Sequence, residues 1–148
     1  MLSQIAAGEA ADCHLMLRKK ANLEAAAGIY RELANLSDFP PLQAQALYKL
    51  GMTFEYSGDA LKALNVYEEL LTWAVASEKI RQNSGIALWC ARAAHSALKI
   101  VLSTPHLPDG SQRAQKIYRL YALLDLPGSS AELRKYLDEI RKHYNLLD

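Results

Sequence analysis

Long apolar runs are missing from this chain, and so are paired cysteines and blocks of like charge, while the β-branched residues that strands favour are few beside alanine and leucine. No uninterrupted apolar stretch approaches the roughly 18 residues of a bilayer-crossing helix, which is read as excluding a membrane span. No basic leader followed by an apolar run opens the chain, and Glu9 and Asp12 interrupt its first twenty residues, so no secretory signal is expected. Cys13 and Cys90 are the two cysteines, and neither has a CxxC partner or a histidine at a metal-ligand spacing. Both are expected as buried free thiols, with no disulfide, metal or cofactor. A formal net charge of +1 argues against a surface built mainly for nucleic acid or anionic lipid. It hides an asymmetry: residues 1–76 carry 6 basic against 9 acidic side chains, and residues 77–148 carry 11 against 7. Solvated helix faces account for such a pattern.

Catalytic signatures are absent too. There is no GxGxxG, GxxxxGK[ST], HExxH or GxSxG, so phosphate cradle, zinc pair and nucleophile elbow are all missing. His14, His95, His106 and His143 are dispersed. Cys13 and His14 diverge by about 100° on a helix, and the five-residue spacing of Cys90 and His95 is equally poor for shared work. No enzyme is expected.

What the chain has is alanine and leucine at helical spacing, in a length that suits one domain. Ile5, Ala6, Ala10, Cys13, Leu15 and Leu17 predict a first helix over about 3–20, and Leu23, Ala26, Ala27, Tyr30, Leu33 and Ala34 a second over about 22–36 with Asn22 as N-cap. Pro40 and Pro41 break the chain before a third helix to about Ser57. Gly58 and Asp59 turn it into a fourth that ends near Ala76. One long helix is predicted from Glu78 to Leu102, then a loop through STPHLPDGS, a helix from Ser111 to Leu124, and a last one over 129–146. Ser129 and Glu132 form a capping-box sequence at its start. Leu133, Tyr136, Leu137, Ile140 and Tyr144 make its apolar stripe, while Arg134, Lys135, Asp138, Glu139, Arg141 and Lys142 are expected to face water.

Residues 21–33, ANLEAAAGIYREL, repeat as GDALKALNVYEEL at 58–70, so that Ala26, Tyr30 and Leu33 match Ala63, Tyr67 and Leu70. Ala114 and Tyr118 carry the same pair once more. Between Leu47 and Leu70 the pattern is fullest: Leu47, Leu50, Gly51, Phe54, Ala63 and Tyr67. Two small residues let helix backbones approach while the aromatics fill the space beside them. This stretch resembles the core of a tetratricopeptide repeat. The resemblance implies an all-α, right-handed α-α superhelix of three irregular hairpins, about 3–36, 41–76 and 78–124, with a capping helix at 129–146: about seven helices in a single domain spanning 1–148. Such irregular scaffolds include those of bacterial envelope assembly proteins.

In that family the first helix of each hairpin lines a concave surface. Carried over, the groove positions are Gln45, Tyr48, Met52, Glu55 and Tyr56 in the middle hairpin. In the first they are Gly8, Ala11, Leu15, Arg18 and Lys19, and in the third Leu88, Ala91, His95, Leu98 and Lys99. Tyr48, Met52 and Tyr56 make one face suited to a peptide or helix, or else pack on the next hairpin. The family's carboxylate clamp is missing, since its positions hold Ala11, Leu15, Ala91 and His95. The expectation is therefore a non-catalytic scaffold for a protein or peptide partner. The alternatives are self-association as a homo-oligomer or terminal packing within a larger repeat protein, and nucleic-acid binding through Arg113, Lys116 and Arg119 with the basic residues of the last helix. Aspartates and Glu139 interleave those cations and argue against the last. The compartment is unassigned: cytoplasm by default, cell envelope if the chain is part of a longer one.

Overall fold

The computed structural model describes residues 1–36, 38–124 and 131–144, with the side chains of 131–134, 136, 137 and 144 left aside. They fold into eight helices: α1 (Leu2–Leu17), α2 (Lys20–Leu36), α3 (Pro40–Tyr56), α4 (Ala60–Val75), α5 (Glu78–Arg81), α6 (Ser84–Ser103), α7 (Gly110–Leu124) and α8 (Ala131–Tyr144). No strand occurs among the described residues. Each helix packs on the one before it, and α6 also reaches back to α3 and α4, which makes the assembly an all-α array of hairpins with α6 at its centre.

The boundaries follow from local chemistry. Pro40 and Pro41 occupy the opening positions of α3, where a missing N–H costs no helical hydrogen bond. At its other end Gly58 N–H bonds Glu55 O at 3.0 Å and Asp59 N–H bonds Phe54 O at 2.9 Å. This double closure needs a left-handed residue, and Gly58 supplies φ 78°. Asp59 then caps α4, accepting from Lys62 N–H at 3.0 Å. That backbone bond, which favours the carboxylate, holds Asp59 below the usual carboxylate range.

The core runs the length of the array. Its fully buried members include Tyr30, Leu50, Leu64, Tyr67, Leu71, Ile86, Leu98 and Ile117. Gly51 is where α3 and α4 come closest: a methyl placed on it would stand 2.3 Å from Tyr67 Cε1. The small residues Ala26, Ala63 and Ala114 are all fully buried, as the repeated pattern requires. Leu47 and Leu50 are buried beside Gly51, and Phe54 is half-buried on the same core.

Several expectations are corrected. The helix predicted from Glu78 to Leu102 is broken, because Asn83 turns extended and its Oδ1 accepts from Gly85 N–H at 2.9 Å, starting α6 anew. Asparagine competes in this way for nearby backbone donors. Asn22 does not cap α2, which begins two residues earlier; its Oδ1 instead meets His14 Nδ1 at 2.9 Å. Cys13 is exposed, and only Cys90 is buried. Arg141 does not point wholly into water but lies 5.8 Å over the Tyr118 ring. Ile140 of the last helix is buried and Lys135, Asp138, Glu139 and Lys142 are exposed. The remaining stripe residues and the capping box of Ser129 and Glu132 lie outside the described side chains. By length and composition α6 does pass as a membrane-spanning segment, with a mean hydropathy of 1.2; 44% of that window is buried here against α3, α4, α7 and α8. Arg92 and Lys99 interrupt its apolar runs, which is why the run-based reading passed over it.

Candidate functional site

The first helix of each hairpin contributes to one surface. Arg18 ends α1 in a left-handed conformation, φ 50°, that lays its guanidinium 4.1 Å from the centre of the Tyr56 ring on α3. A left-handed turn at a residue other than glycine costs about 1–2 kcal/mol, and the stacked cation offsets part of that. Two turns and more back along α3, Tyr48 tilts against Trp89 of α6, with ring centres 5.5 Å apart, and Arg92 lies 5.0 Å over the Trp89 ring. Tyr48 also leans on Tyr67 at 5.9 Å. Met52 is half-buried between Tyr48 and Tyr56, and Tyr56 keeps 40% of its surface exposed. The result is a row of partly covered aromatic and thioether groups with a guanidinium at each end.

Behind the row the polar groups are already paired. Lys49 Nζ holds Asp12 at 2.6 Å, tying α3 to α1, and Tyr30 Oη donates to the same carboxylate. Tyr67 Oη donates to Glu55 in a short hydrogen bond. Tyr30 and Tyr67 thus each anchor on a carboxylate of the helix before their own. Burial and the adjacent carboxylate push both phenols above the ordinary tyrosine range. Burial also raises Tyr48, opposed by the Ser96 hydroxyl and by Arg92. None of the three phenols can exchange a proton near neutrality. Burial pushes the Cys90 thiol up to about 12, which removes it as a nucleophile.

Of the expected groove residues, Tyr48, Met52, Tyr56 and Arg18 meet on this surface. Glu55 is exposed beside them with one carboxylate oxygen taken by Tyr67. Gln45 is half-buried nearer the start of α3, Lys19 is exposed in the turn next to Arg18, and Lys99 is exposed on α6 with His95 half-buried a turn earlier. Ala11, Leu15 and Leu98 do not line a groove; they are core residues. Trp89 and Arg92 were missed. They stand one residue beyond Leu88 and Ala91, the positions that the resemblance implies, and a tryptophan and an arginine three apart in an alanine-rich helix are the sequence signal for them.

A cavity of about 480 Å³ opens at one edge of the surface, between the α1–α2 and α3–α4 turns, lined among others by Arg18, Leu23, Glu24, Phe54, Tyr56 and Lys62. Lys62 sits 5.7 Å over the Phe54 ring at its wall. Two of the three basic residues of α7 are engaged: Arg113 and Lys116 both bind Glu68, each at 3.1 Å, and Arg113 also reaches Asn65, while Arg119 is exposed. Among the described residues no group of three or more His, Cys, Asp or Glu side chains is placed to hold a metal ion.

No protein-family model matches this chain, and no curated protein or solved structure matches it.

Proposed function

We propose that this chain is a non-catalytic interaction module with tetratricopeptide-like packing, which takes a protein segment on the face built by α1, α3 and α6. The observation that supports this most is the row Arg18–Tyr56, Met52, Tyr48–Trp89–Arg92: partly exposed rings and a thioether, flanked by cations and mounted on helices that the core holds rigid. Aromatic, methionine and arginine side chains are the ones enriched where proteins bind proteins. The Gly51–Tyr67 contact and the repeated Ala-then-Tyr pairs support the tetratricopeptide-like reading, in which such a face is the concave side of a right-handed superhelix. The pairing of Arg113 and Lys116 with Glu68 weighs against phosphate binding through α7.

Panning a random peptide library on the immobilised protein tests the proposal. Peptides selected by the wild type should lose at least about tenfold in affinity, roughly 1.4 kcal/mol, on Tyr56→Ala and on Arg92→Ala, with circular dichroism unchanged. Both side chains are exposed enough for the fold to survive. Peptides that bind both variants as they bind the wild type would place the site elsewhere. Tyr48 is a poorer probe, because its removal also uncovers Tyr67 and Trp89.

A further inference from the structure

The face built by α1, α3 and α6 carries charge of one sign that the fold leaves unused. Carboxylates are few on these helices: α6 has none, α3 has only Glu55, and α1 has Glu9 and Asp12. Asp12 is held by Lys49 and by the Tyr30 hydroxyl, and Glu55 accepts from Tyr67. Glu9 stands two turns and more from Arg18, on the exposed side of α1 with Cys13 and Met16. The cations are in the opposite condition. Arg18 and Lys19 follow the end of α1, Arg92 and Lys99 stand on α6, and all four are exposed. Arg92 and Lys99 are seven residues apart, about two turns, so they share one side of that helix. The ion pairs among the described residues join other groups and leave these four without a carboxylate. Arg18 and Arg92 rest instead on the rings of Tyr56 and Trp89. Stacking occupies the flat side of a guanidinium and leaves the N–H groups at its edge free to donate.

We propose that the protein segment taken on this face is acidic. Its carboxylate side chains meet the N–H edges of Arg18 and Arg92, Lys19 and Lys99 add attraction, and its apolar side chains lie over Tyr56, Met52 and Tyr48. The inference rests on the reading of this face as a peptide-binding surface and adds the charge of the occupant. A carboxylate can take two parallel hydrogen bonds from a guanidinium, whereas a basic segment would bring like charges together on both flanks of the aromatic row. The same cations would attract a nucleic acid, but Glu55 is exposed beside Tyr56 in the middle of them. A continuous phosphate backbone would be drawn past that carboxylate at like charge. A polypeptide can set an uncharged residue or a backbone N–H there.

Two pools of labelled synthetic peptides test this, one randomised over Glu, Phe, Leu, Gly and Ser and the other with Lys in place of Glu. Both are acetylated and amidated, so that chain ends add no charge. A length of about ten residues, extended, covers the roughly 25 Å of α3. By fluorescence anisotropy the glutamate pool should bind at least about tenfold more tightly than the lysine pool, and the difference should shrink between about 0.05 and 0.5 M salt. Arg92→Glu with Lys99→Glu, both at exposed positions, should abolish or invert the preference with circular dichroism unchanged. Arg92→Gln with Lys99→Gln should abolish it by neutralisation alone, and this pair carries the test if charge reversal disturbs the fold. Equal binding of the two pools, a preference for lysine, no binding of either pool, or a glutamate preference untouched by the α6 variants would each overturn the proposal. So would tighter binding of oligothymidylate than of the glutamate pool. If library-selected peptides still depend on Tyr56 and Arg92 but are not acidic, the peptide-binding reading stands and the acidic partner alone is lost. If no selected peptide depends on them, both fall.

Discussion

Tyr67 lies so close against Gly51 that the smallest side chain larger than hydrogen would collide with its ring: the added methyl would stand 2.3 Å from Cε1 and 2.7 Å from Cζ. The tyrosine has no room to retreat, because it is fully buried, its hydroxyl is bound to Glu55 and its ring touches Tyr48. Gly51→Ala should therefore destabilise the protein by roughly 1–3 kcal/mol through overpacking, although alanine is the better helix former. At this chain length that corresponds to a fall of several degrees in Tm. An unchanged or raised Tm by differential scanning calorimetry would show that the close approach does not exist in solution.

Glu68 and Glu69 are neighbours in sequence and opposites in setting. The Glu68 side chain keeps only 10% of its surface and accepts from Arg113 and Lys116, whereas Glu69 keeps 46% and pairs with Arg31 on the outside. Removing one member of a nearly buried cluster leaves the Arg113 guanidinium under-satisfied and should cost about 1–3 kcal/mol. An exposed pair is worth about 0–1 kcal/mol. Urea unfolding of Glu68→Ala and Glu69→Ala should rank them in that order, and equal midpoints would contradict the assignment.

Asn83 separates α5 from α6 by capping the second. Asn83→Ala should cost about 1 kcal/mol of stability, and Asn83→Asp or Asn83→Ser should restore most of it, since either side chain can accept from the same N–H. If alanine were as stable as asparagine in urea titrations, the break would owe nothing to the cap.

Alkali should unfold this protein early. Cys90 is raised from 9.0 to about 12, and Tyr30, Tyr48 and Tyr67 are raised above 10.0, each chiefly by burial. For groups raised in the folded state, the unfolded chain loses its protons first, so their stabilising share is complete below pH 9 and is lost progressively from there upward. Thermal melts at pH 7, 9 and 10.5 should show a falling Tm across the last two, and Cys90→Ala should flatten the first part of the decline. A Tm constant to pH 10.5 would mean that these groups are not buried.

Periodicity made most of the helices legible before any coordinates. Alanine and leucine at three- and four-residue steps leave little choice of period, Pro40 with Pro41 and Gly58 with Asp59 can only punctuate, and a small residue four before an aromatic marks a helix meant to pack closely. The Asn83 break has a signal of its own in Asn-Ser-Gly, which sits inside the stretch that reads as one long helix. Side-chain destinations were harder to read. Asp12, Lys49, Tyr30, Glu55 and Tyr67 are separated by up to dozens of residues, and no local pattern says that they share hydrogen bonds. Nor could spacing alone show that Leu15 faces the core while Met16 faces water.

The sequence by itself determined the all-α class, the hairpin turns and the close contact at Gly51, because each depends on the chain's own periodicity or on a residue type with one physical use. Tertiary structure alone decided which cations pair across helices and which stay exposed, why Trp89 rather than Leu88 stands beside Tyr48, and that one side of α1 is exposed. Those outcomes depend on how helices are rotated against their neighbours, and a turn of one residue, about 100°, exchanges a buried side chain for an exposed one without altering the helical pattern at all.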